Sequence, residues 1–78
     1  MREKRLQLII SFESTANAMA VERFCMENGL PGRLIPVPKE ITAGCGLAWK
    51  ADITQKDELL KAFARENIEY DGVYELMI

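Results

Sequence analysis

From Arg5 to Phe12 apolar and polar residues alternate, with Leu6, Leu8, Ile10 and Phe12 on one side and Arg5, Gln7, Ile9 and Ser11 on the other. A period of two is that of a β-strand with one well-buried face. The period then lengthens: Ala18, Val21, Phe24 and Cys25 share one face of a helix. Ser14 or Thr15 supplies the helix with a capping oxygen, and Gly29 marks its end just past Asn28. Gly32 to Val37 predicts a short strand, and Pro36, which has no N–H to give, assigns it to a sheet edge. Leu47 to Ile53 predicts the next strand. Leu59, Leu60 and Phe63 outline a second helix that ends near Asn67. Thr54 is its expected cap, with Asp57 three residues on as in a capping box, and Asp57 and Lys61 are spaced to pair. Val73 to Ile78 is the last strand, with Tyr74, Leu76 and Ile78 sharing a face.

Strand, helix, strand, strand, helix, strand is the order of an α+β ferredoxin-like βαββαβ sandwich. Right-handed crossovers place two helices on one face of a four-stranded antiparallel sheet. The first and third strands are expected at the centre, the second and fourth at the edges. No linker or low-complexity tract interrupts residues 1–78, which read as a single domain. The helix-free face is expected to carry Arg5, Gln7, Ile9, Ser11, Val73, Glu75 and Met77, with Ile9, Val73 and Met77 as an apolar spot. Trp49 stays unassigned, because Leu47 and Ala48 are both apolar. With Trp49 added, the patch is large enough to suggest a homodimer or docking surface.

Composition narrows the function classes. A chain of 78 residues buries about 60% of its unfolded surface, which leaves no room for a large catalytic cavity beside a regulatory domain. The net charge of −2 argues against nucleic acid as a partner, and Arg2, Lys4 and Arg5 read as a solvated start. Leu6 to Phe12 is too short for the apolar part of a signal peptide and runs into Glu13. No apolar run approaches the length of a membrane span. The expectation is a cytoplasmic protein with reduced thiols. Two cysteines, Cys25 and Cys45, with nineteen residues between them match neither a zinc site nor a redox pair. Met19, Met26 and Met77 form no metal-binding spacing, so neither metal nor cofactor is expected. The chain has no histidine, which removes the usual general base and the usual activator of a cysteine nucleophile.

The candidate chemistry lies in the nine residues from Pro38 to Gly46, Pro-Lys-Glu-Ile-Thr-Ala-Gly-Cys-Gly. This connection is longer than a hairpin requires, and such loops are often functional. Gly44 and Gly46 strip the side chains flanking Cys45, so a reactant has close access to the sulfur. Successive N–H groups of a glycine turn form an anion site. Lys39 in the loop, with Arg33 and Lys50 on the flanking strands, would add positive potential and favour a thiolate. The competing reading is a tight turn in which cysteine is a small filler. Glu40 reads as a solvated loop carboxylate rather than a base. Pro36 and Pro38 either stiffen the loop or guard an edge strand. Cys25, on the helix stripe, reads as a buried hydrophobe.

The run from Gly32 to Trp49, with its Pro36-Val37-Pro38 and Ala43-Gly44-Cys45-Gly46 elements, resembles the signature of a family of small bacterial proteins described as selenium/sulfur carriers, a domain otherwise of unknown function. The segment Asn67 to Tyr74 also fits that pattern. The resemblance implies that Cys45 bears the sulfur or selenium atom, and Thr42 stands where the family has serine or threonine. A carrier of this kind takes a persulfide or selenopersulfide from a donor protein, such as a cysteine desulfurase, and hands it to an acceptor protein. It needs no histidine of its own, because its partners supply acid–base groups. The alternative is a module that binds a small anion, or regulates, and dimerises through the open sheet face. A self-sufficient enzyme fits least, for want of a base and a cavity.

Overall fold

The computed structural model describes residues 4–41 and 46–78. Strand β1 (Leu6–Ser11) leads into helix α1 (Thr15–Glu27), then β2 (Arg33–Pro36), β3 (Leu47–Asp52), a 3₁₀ turn over Ile53–Gln55, helix α2 (Lys56–Arg65) and β4 (Gly72–Met77). The strands lie in the order β2-β3-β1-β4, and every neighbouring pair is antiparallel. Strands one and three are central and two and four are edges, as the ferredoxin-like reading requires.

Both helices begin and end on local chemistry. The Ser14 side chain accepts the Asn17 N–H, satisfying one of the free donors of the first turn of α1. At its other end Gly29 takes φ +64°, and Leu30 N–H reaches back to the Cys25 carbonyl at 2.9 Å. Asn67 plays the same part after α2 with φ 55°, and Ile68 N–H bonds the Phe63 carbonyl at 2.9 Å. A left-handed residue that lets the next N–H reach back in this way closes a helix. The start of α2 departs from expectation. Thr54 does not cap; the Asp52 carboxylate accepts both the Thr54 N–H and its hydroxyl, organising the 3₁₀ turn, while Gln55 at the helix start makes no side-chain cap. Asp52 precedes the turn and so reaches donors that Thr54 cannot. Among the described residues the Asp57–Lys61 pair does not form; Lys56 instead reaches Glu75 of β4 at 2.6 Å.

The main core lies between sheet and helices. Leu8, Ile10, Phe12, Trp49 and Ala51 face Ala18, Val21 and Cys25 of α1 and Leu59 and Phe63 of α2. Trp49 therefore belongs to the helix side. Its indole N–H donates to the Pro31 carbonyl at 3.1 Å, and Gly32 clears space for the ring.

The face of β4 is the reverse of the expected one. Tyr74 lies opposite Ile9 and Val73 opposite Ile10, and directly opposed residues share a face. Val73 thus packs on the main core, while Tyr74, Leu76 and Ile78 join Ile9 on the helix-free side. Apolar residues occupy both parities of this edge strand, so alternation alone does not choose between them. Pairing settles it: Glu75 bonds Lys56 and Met77 is largely exposed.

Candidate functional site

The loop between β2 and β3 rises from the end of the sheet where β1 also finishes, since Ser11 pairs with Ala48 and Pro36 with Leu47. Val37 N–H donates to the Gly46 carbonyl at 2.9 Å, one step beyond the last ladder pair, and closes the base of the loop. Gly46 has φ +78°, a conformation glycine adopts without steric cost, and a Cβ there would meet nothing within 4 Å. The first part of the loop is a turn in which Ile41 N–H donates to the Pro38 carbonyl at 2.9 Å. That turn leaves Lys39 and Glu40 exposed and sends Ile41 back over the helix-free face.

Ile41 is only 5% exposed and forms a second small core with Ile9 and Ala48. Ile35, Val37, Tyr74, Leu76 and Ile78 pack around it. Ile9 is fully buried as a result. The expected apolar spot of Ile9, Val73 and Met77 is replaced by a cluster that the loop itself covers. No role was expected of Ile41. Its signal is a lone large aliphatic residue in a stretch otherwise built of proline, glycine, small and charged residues.

Of the anticipated site residues, Arg33 and Lys50 face each other across β2 and β3. They share the row that continues through Ile9 to Tyr74, on the helix-free side. Each lies four residues from the Val37–Gly46 base of the loop, about 13 Å of strand. Because Ile41 folds back onto Ile9, the loop turn and this basic pair meet on the same face. Lys39 sits in the turn, and Gly46 at the base. Thr42, Gly44 and Cys45 fall outside the described residues, as does the expected anion-binding turn. The second cysteine, Cys25, is buried in the main core, and loss of hydration there pushes its thiol up to about 11.

Two shallow cavities, of about 420 and 400 Å³, lie on the helix side and share Asn17, Ile68 and Glu69 in their walls. Among the described residues no cysteine, lysine or arginine lines either one. Among the described residues no cluster of acidic or cysteine side chains is arranged to hold a metal ion. None of the described helices is long and apolar enough to cross a membrane.

Searches of curated proteins and of solved structures returned no match. The model of one protein family, described as "Putative Se/S carrier protein-like", matches residues 7–75. That span runs from the first strand into the last and includes the whole β2–β3 loop, and the chain belongs to this selenium/sulfur carrier-like family.

Proposed function

We propose that the protein carries sulfur or selenium as a persulfide or selenopersulfide on Cys45 and passes it between partner proteins. Membership of the carrier-like family is the observation that carries this reading. The chemistry of the chain supports it. Cys25 is buried and its thiol is held neutral, so it is unsuited to exchange. Cys45 stands in a glycine-flanked loop whose base and first turn are tied to the sheet at Gly46 and Ile41.

The transfer balances without an external oxidant. The Cys45 thiolate attacks the terminal sulfur of a donor persulfide, one S–S bond forms as another breaks, and the donor thiolate leaves. In the second step an acceptor thiolate attacks the atom now carried on Cys45, and the Cys45 thiolate leaves. Each exchange moves one atom of sulfur or selenium and needs no histidine in this chain.

Incubation with a cysteine desulfurase and cysteine or selenocysteine tests the reading by mass spectrometry. The peptide containing Cys45 should gain one sulfur or one selenium atom, and the gain should disappear on reduction. Cys45→Ala should remain folded and take up no label. Label retained by Cys45→Ala, or never acquired by the native chain, would leave Cys45 a turn residue and favour the anion-binding module.

A further inference from the structure

Charge is unevenly divided between the two sides of the sheet. Among the described residues the helix-free face carries Arg5, Arg33 and Lys50 against Asp52 and, at the far end where Ser11 bonds it, Asp71, for a net +1 in a chain of net −2. Asp52 is already engaged: the Thr54 N–H and hydroxyl hold its carboxyl below the usual range, with a further contribution from nearby Arg5. Arg33 and Lys50 are left over. They stand directly opposite one another, a juxtaposition of like charges that destabilises a sheet. Among the described residues neither forms an ion pair.

Edge protection accounts for Arg33, which sits on β2, but not for Lys50, because β3 is an interior strand with no edge to guard. Around this pair the half-buried side chains of Ile35, Tyr74 and Leu76 surround the Ile41 anchor. An apolar centre beside an uncompensated basic rim is the anatomy of a protein-docking patch.

We propose that the helix-free face docks an acidic surface of a partner protein, with Arg33 and Lys50 as the charge-reading pair. A second copy of this chain fits poorly, since two such faces would bring one Arg33–Lys50 pair against another. Docking here places the partner over the turn that leads to Cys45. That the partner is the donor or acceptor rests on the carrier reading; the docking itself does not.

A poly-glutamate peptide, titrated at low ionic strength into the ¹⁵N-labelled full chain, serves as probe. Amide shifts should centre on Arg33, Lys50 and the Lys39–Ile41 turn. The double variant Arg33→Glu, Lys50→Glu should weaken binding at least about tenfold, as expected when rim charges are made repulsive. The milder Arg33→Gln, Lys50→Gln variant guards against a folding defect and should lie between the two. Shifts centred on Lys56, Lys61 and Arg65, or equal binding by the double variant, would overturn the proposal. Inorganic phosphate reproducing the same shifts would replace it with a small-anion site. Concentration-dependent shifts at these residues without peptide would replace it with a homodimer. Cys45→Ala should bind the peptide as the native chain does. A native chain that binds peptide but takes no label leaves docking standing and removes the carrier reading; one that takes label without binding does the reverse.

Discussion

Gly32 is the residue where a single added methyl should do most harm. Its φ is +114°, and a Cβ would lie 2.3 Å from the Trp49 indole nitrogen and 2.6 Å from the Lys50 carbonyl. Neither neighbour has room to yield, because Trp49 is buried and the carbonyl is backbone. Gly32→Ala should cost about 2 kcal/mol or more, from backbone strain and the clash together. Gly46→Ala should cost about 1 kcal/mol, the left-handed backbone being its sole penalty. Urea titrations of the two variants check the contrast. The thiols should separate as clearly. Cys25, with its thiol pushed up to about 11, should resist alkylation in the native state, while Cys45 reacts near neutral pH and Cys25 follows only after denaturation. Mass spectrometry of a time course decides it. The burial of Cys25 was legible in the sequence because it continued the spacing of Ala18 and Val21. The tight seat of Gly32 was not, since it depends on a tryptophan seventeen positions away whose face the alternation left open.

Helix α2 and the loop are the elements whose details the sequence left unresolved. Thr54 and Asp52 are both capping residue types, and only the path of the chain reveals which one receives the N–H. The Asp52 carboxyl titrates below its ordinary value in the folded state, so its stabilisation is present above the unfolded pKa of about 3.9 and is lost as pH falls through the folded value. Asp52→Asn should therefore be less stable than the native chain at neutral pH, with the gap closing in acid. Denaturation midpoints measured across that range test the sign. In the loop, Ile41→Ala should cost about 2–3 kcal/mol by emptying the small core over Ile9 and Ala48. Hydrogen exchange in that variant should rise at Val37 and Ile41 before it rises in α1. Ile41→Val should largely restore protection. The face of β4 escaped the alternation rule for a general reason: an edge strand with apolar residues at both parities is oriented by its pairing partner, and pairing is not a local property.

At the scale of the whole molecule the architecture was the most legible part. Two periods, two helix ends and a proline in the second strand suffice to order the sheet, because handed crossovers leave few other ways to assemble them. The distribution of charge was not legible, since it requires knowing which residues share a face. A domain of this length has roughly 4–12 kcal/mol of stability. Leu8→Ala, at the centre of the main core, should remove about 3 kcal/mol of it. Met77→Ala on the exposed rim should leave the midpoint nearly unchanged.

The hydrogen bond from Trp49 to Pro31 makes the chain's only indole an optical reporter. The ring lies in the main core, across the sheet from the Ile41 cluster, and its N–H is held by the carbonyl that precedes β2. Its emission should shift to the red when the edge strand detaches, as in Gly32→Ala, and should stay blue when the loop alone is loosened, as in Ile41→Ala. One steady-state spectrum then distinguishes a variant whose edge strand has come away from one in which only the Ile41 anchor has loosened, with no dye and no added label.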